Sequence, residues 1–114
     1  SNFDVLSGDD VITLPLIALG GRGLISVASN LIPREMTLLT QAAMREDFKT
    51  ARELQRKYLA LMEVNFIESN PIPVKAGMAL MGLLEPVFRL PLVPPAAHNL
   101  EKIQQVLKGV GLAS

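Results

Sequence analysis

The spacing of apolar residues changes its period along this chain. Residues 3–27, FDVLSGDDVITLPLIALGGRGLISV, hold two short β-branched and apolar runs, each closing in small or acidic residues. Between them lies a short stretch that is apolar nearly all round. The runs predict strands at 3–7 and 24–27, and the stretch between them predicts a helix covered on several sides. Strand, loop, helix and second strand make a parallel unit, whose strand starts, about twenty residues apart, leave room for a right-handed crossover. Two parallel strands do not make a sheet that stands alone.

Local residue chemistry sharpens these elements. Thr13 is expected as the N-cap of the first helix, and Pro15 falls in its first turn, where a missing N–H does no harm. Gly20-Gly21 is expected to end it with a left-handed C-cap, and Gly23 opens the second strand. Gly8 can adopt backbone angles closed to other residues and lets a ligand approach the main chain.

Beyond residue 28 the period becomes helical. After a small polar turn at 28–30, Pro33 starts a helix to about Arg45 carrying Met36, Leu39 and Ala43. Asp47 caps the next, whose seam is Ala51, Leu54, Tyr58, Leu61 and Asn65, and which ends near Glu68. Residues 70–73, Asn-Pro-Ile-Pro, read as extended, because each proline restricts its predecessor. A further helix runs from Val74 to Gly82, and 89–95 is a proline-rich clamp or connector. The last helix, about 99–108, is expected to bury Leu100, Ile103 and Leu107, with Gly109 closing it.

Composition removes several classes of function. Eleven basic and eleven acidic residues balance, and aromatics are 4% of the chain, so no field or stacking platform favours nucleic acid. No cysteine is present and His98 is the single histidine, so thiolate zinc sites and two-histidine sites are excluded. No apolar run approaches the ~20 residues that cross a bilayer, and no signal peptide is visible. The expectation is a soluble, cytoplasmic protein without a nucleic acid or membrane partner.

Taken in order, VLSGDD, TLP, ALGG, GLISV, NPIPVK and RLPL resemble the dihydrodipicolinate synthase family of pyruvate-dependent class I aldolases and lyases. The resemblance covers residues 3–112, and NPIPVK with RLPL favours the synthases over relatives such as N-acetylneuraminate lyase. It implies an α/β fold: the last two βα units of a TIM (β/α)8 barrel at 3–46 and a C-terminal helical extension at 47–114, mostly helical as a fragment. It implies a lyase that condenses pyruvate with aspartate semialdehyde through a lysine Schiff base, without a metal or organic cofactor, in lysine biosynthesis. The Schiff-base lysine and the proton-relay tyrosine and threonine would lie upstream of Phe3, so no catalytic residue is assigned here and the chain alone is expected to be inactive. Position by position, Gly8 matches the glycine lining the pyruvate pocket and Asp9 the acidic residue at the site mouth. Ile25 matches the residue whose carbonyl faces pyruvate. The implied partners are the missing N-terminal part of the barrel and further copies in a homo-oligomer. A non-catalytic helical self-association module is the alternative from another class, because two strands with unpaired edges favour association.

Several residues have plainer readings. Lys75 follows a double-proline turn rather than a barrel strand, so it reads as structural, and Arg89 as a tie between extension and barrel. Asp9-Asp10 as a metal pair lacks a second acidic motif, and a carboxylate at a helix N-terminus is already explained by the dipole. Gly20-Gly21-x-Gly23 precedes a strand instead of following one, unlike a phosphate loop. His98 reads as solvent-facing and the methionines as packing residues.

Overall fold

The computed structural model describes residues 2–114. Two compact units divide the chain, Ser1–Leu59 and Ala60–Ser114.

In the first unit, two extended segments run parallel and meet in a single bridge between Ser7 and Leu24. Ser7 donates its N–H to the Gly23 carbonyl at 2.8 Å, and its own carbonyl accepts the Ile25 N–H at 2.8 Å. Two residues earlier, the Val5 carbonyl accepts the Arg22 N–H at 2.8 Å. An unbroken ladder from that bond would pair Ser7 with the Arg22 carbonyl instead. One extra residue is therefore inserted on the second segment, a bulge at Arg22-Gly23 with Gly23 at φ 151°. The regular strands expected at 3–7 and 24–27 are not formed among the described residues. The bulge breaks the ladder on one side of the bridge, and on the other Val27 has already turned to helical angles, φ −82° and ψ −46°.

Helix α1 spans Thr13–Ala18, α2 Pro33–Met44 and α3 Phe48–Val64, with a 3-10 turn at Ala28–Asn30. Thr13 is not the N-cap of α1. Ile12 holds that position without a side-chain bond, and Thr13 Oγ1 donates to the Asp9 carbonyl at 2.9 Å. Leu14 and Ile17 pack with Ala42, Ala43 and Ala51, and Phe48 closes over them. Alanines on the facing helices let α1 approach closely, and each buried Leu or Ile contributes about 1.5–3 kcal/mol. At the start of α3, Asp47 is the expected cap: its Oδ1 accepts the Thr50 N–H at 3.2 Å. The Thr50 side chain and amide lower the Asp47 pKa below the usual carboxylate range. Along the seam, Ala51, Tyr58, Leu61 and Asn65 are buried and Leu54 is half-buried.

The second unit contains α4, Ile72–Leu80, and α5, Ala97–Gly109, which pack on each other. Helix α4 begins two residues earlier than the prolines suggest. Pro73 sits in its first turn, where no intrahelical bond is lost. Both Asn70-Pro71 and Leu90-Pro91 are cis. Leu100 is exposed rather than buried, and Asn99 takes the inward position, where its Nδ2 donates to Glu68 Oε1 at 2.7 Å. The same oxygen accepts the Ala96 N–H at 2.9 Å, so Glu68 caps α5 across 28 residues. Asn99, then the Ala96 amide, with the nearby His98, hold the Glu68 pKa below the usual range. A carboxylate lowered in the folded state stabilises fully above its unfolded value, and this is lost as pH falls through the lowered folded one. Glu68→Gln is therefore expected to flatten the fall in Tm on acidification through the carboxylate range. A Tm–pH curve parallel to the parent's would count against this capping role.

Four helices stop in one way. The Gly20, Glu46, Gly82 and Gly111 residues have φ 103°, 63°, 74° and 78°. Each donates its N–H to a carbonyl three residues back, and the next residue's N–H reaches five back, the paired bonds of a Schellman motif. Gly20-Gly21 thus ends α1 as expected, while α5 is closed by Gly111 rather than Gly109. Glu46 is the exception in chemistry, because a side chain at left-handed φ costs about 1–2 kcal/mol. Glu46→Gly is expected to raise stability by about 0.5–1 kcal/mol after the extra chain entropy of glycine. Urea midpoints measure this, and an unchanged or lower midpoint would refute it.

Among the described residues, no helix is long and apolar enough to cross a membrane.

Candidate functional site

The loop after the first extended segment is built from its own side chains. Ser7 Oγ donates to the Asp9 carbonyl at 2.6 Å and accepts the Asp9 N–H at 3.1 Å. Asp9 Oδ1 accepts the Val11 N–H at 2.9 Å, an Asx turn that carries the chain into α1. Gly8 does not have a positive φ, so its expected special backbone angle is absent. A Cβ there would meet nothing within 4 Å. Asp9 and Gly8 are both exposed.

Ile25 lies across the bridge from this loop. Its N–H is held by the Ser7 carbonyl, its side chain is 71% exposed, and its own carbonyl has no donor among the described residues. The bridge therefore brings Gly8, Asp9 and Ile25 to the same end of the parallel pair. A main-chain edge, an open glycine and an unbonded carbonyl can line a small polar ligand, and they include no nucleophile. Leu24 and Ser26 alternate with Ile25 and face the other way, onto a 420 Å³ cleft walled by Pro33, Met36 and Thr37 of α2. Gly8, Asp9 and Ile25 are not part of that cleft.

One residue that sequence reasoning placed elsewhere joins the two loops. Asp10 is 1% exposed. Its Oδ1 accepts the Ser26 hydroxyl, and its Oδ2 accepts the Val27 and Ala28 N–H groups at 3.1 and 2.9 Å. Those amides start the 3-10 turn, so the carboxylate serves a helical N-terminus 18 residues away, not the start of α1 beside it. Asp9 and Asp10 thus have separate tasks and do not act as a pair. Ser26 at the end of the second segment is the available signal, since a buried Asp needs such a donor.

Lys75 Nζ donates to the Val87 carbonyl at 2.6 Å and lies 4.9 Å from the centre of the Phe88 ring. It is occupied in tying α4 to the following extended segment. Arg89 and His98 are exposed.

Two extended segments that meet in a parallel bridge, with helix α1 between them and loops gathered at one end, suit a piece of a parallel α/β protein. Residues 1–110 match the model of the Dihydrodipicolinate synthetase family. The 4-hydroxy-tetrahydrodipicolinate synthase of Koribacter versatilis is 50% identical over 111 residues, 97% of this chain and 37% of the relative. The crystal structure of dihydrodipicolinate synthase from Aquifex aeolicus superposes with a TM-score of 0.96 at 48% identity, covering 98% of this chain and 38% of that one. The chloride-inhibited dihydrodipicolinate synthase of Acinetobacter baumannii, solved in complex with pyruvate, gives 0.93 at 39% identity over 96% of this chain and 38% of its own. The chain belongs to the dihydrodipicolinate synthetase family and spans under two fifths of the length of these relatives. A fragment of the expected barrel fits these superpositions.

Proposed function

We propose that this chain forms one wall of the pyruvate pocket of a dihydrodipicolinate synthase-like lyase. Gly8, Asp9 and the Ile25 carbonyl face the substrate. The rest of such an enzyme, equivalent to the preceding part of its longer relatives, supplies the lysine that forms a Schiff base with pyruvate before condensation with aspartate semialdehyde. The supporting observation is the meeting of the two loop ends across the Ser7–Ile25 hydrogen bond, with the Ile25 carbonyl left free. The pyruvate complex of the Acinetobacter baumannii relative supports pyruvate as the ligand. Exposed Phe3, Val5, Leu6 and Ile25 agree with a parallel pair that continues into further strands.

Borohydride with pyruvate tests the division of labour. The 114-residue chain is expected to keep its mass. The same chain joined behind the part of the Aquifex aeolicus enzyme that it does not match is expected to gain one reduced pyruvate adduct. An adduct on Lys75 of the chain alone would overturn this reading, because that lysine is already committed to Val87 and Phe88.

The same exposed apolar residues favour a second reading, self-association through the open edges. Light scattering behind size exclusion separates the two. A monomeric chain that binds no apolar dye counts against association.

A further inference from the structure

Resting on that reading, we propose that Asp10 is the positioning residue of the pocket wall, setting Gly8 and Asp9 against the Ile25 carbonyl without touching pyruvate.

The main chain alone does not fix this arrangement. The Ile25 N–H to Ser7 carbonyl bond is the last backbone bond joining the two segments, because Val27 leaves the extended conformation immediately afterwards. Past that bond, Gly8-Asp9 and Ile25-Ser26 are held to each other through Asp10. Its backbone continues directly from Asp9, and its carboxylate grips Ser26, Val27 and Ala28, the three residues after Ile25.

The direction of the Ile25 carbonyl is set by the peptide plane between Ile25 and Ser26. One side of that plane is held by the Ile25 amide, and the other by the Ser26 hydroxyl and Val27 amide on Asp10. Ser26 Oγ also accepts the Ser29 N–H at 2.9 Å, so the grip extends into the turn. All this occurs at 1% exposure, which leaves the carboxylate no face for a ligand. Carboxylate length matters as well: a single methylene lets Oδ2 reach two successive amides while Oδ1 meets the serine.

Asparagine can keep the links with one polarity reversed. Its Oδ1 would take both amides and its Nδ2 would donate to Ser26 Oγ. Alanine removes all three and strands the Ala28 N–H in a buried position.

Asp10→Ala and Asp10→Asn are to be made in the chain joined to the unmatched part of the Aquifex aeolicus enzyme. Asp10→Ala is expected to raise the KM for pyruvate about tenfold while the KM for aspartate semialdehyde moves less than about twofold, and Asp10→Asn to recover most of the loss. Ile17→Val, a mild core change away from the loops, is the control. It is expected to lower Tm and leave the pyruvate KM in place. A pyruvate KM unmoved by Asp10→Ala, or moved equally by Ile17→Val, overturns the proposal.

Failure of the functional reading has a different signature, the absence of any pyruvate adduct on the unsubstituted joined protein. Asp10 is then judged by amide NMR of the 114-residue chain. Displaced Gly8, Asp9 and Ser26 resonances in Asp10→Ala, restored in Asp10→Asn, support the positioning role, and resonances left in place refute it.

Discussion

Ile17→Ala is expected to destabilise the first unit by about 3–5 kcal/mol, the upper part of the range for large-to-alanine changes. The reason lies in what surrounds the side chain. Ile17 is 7% exposed and packs with Ala42, Ala43 and Ala51. Alanines have no side-chain torsion through which to move into a vacated space, so the cavity stays open unless helices shift. Only Leu14 and Phe48 in that cluster have rotamers to offer. Urea unfolding followed by circular dichroism should show a lower midpoint with an unchanged slope. A loss below about 1.5 kcal/mol would mean that the cluster collapses easily.

Gly21→Ala carries the second large effect, expected at about 1–3 kcal/mol from overpacking. Gly21 is buried, and a Cβ built on it would stand 2.9 Å from the Leu16 carbonyl oxygen and 3.1 Å from Leu16 Cγ. The obstruction is backbone, and it is the same carbonyl that accepts the Gly21 N–H at 2.9 Å. Relief therefore requires pulling apart the bond that ends α1. A thermal melt against Gly109→Ala is the comparison, since nothing lies within 4 Å of a Cβ at Gly109. Equal Tm values for the two variants would show that the Leu16 carbonyl yields.

The elements most legible in the sequence were those decided by near neighbours. The 3,4 spacing of α2 and α3, Pro33 at a helix start, and Gly20-Gly21 as a stop all depend on residues within one or two turns. Misreadings came from longer range. Leu100 fits the apolar period of α5, yet Asn99 turns inward because Glu68 waits there, 31 residues away. The dipole of the adjacent helix is a correct electrostatic rule for the Asp9-Asp10 pair, but the tertiary fold gives Asp10 a different helical N-terminus. Of the candidate site, Gly8, Asp9 and Ile25 are assigned by the resemblance alone. The residue that connects them was concealed, because one-dimensional spacing does not show which amides a buried carboxylate meets. The bulge at Arg22-Gly23 gave no signal beyond a glycine that also fits a turn.

The paired bonds at Gly20, Glu46, Gly82 and Gly111 bear on how this chain tolerates changes in length. Each stop is specified within six consecutive residues, so it travels with its own helix. A residue inserted just beyond the stop lengthens a connector and leaves the inward face of the helix in register. A residue inserted one turn before it rotates every later side chain by about 100° while the stop still forms. The same change in length is thus nearly silent at one place and turns a packed face into solvent at another, a few residues away. Length variation between sequences of this shape should gather beyond the residue that follows each of those four, where the paired bonds are already complete.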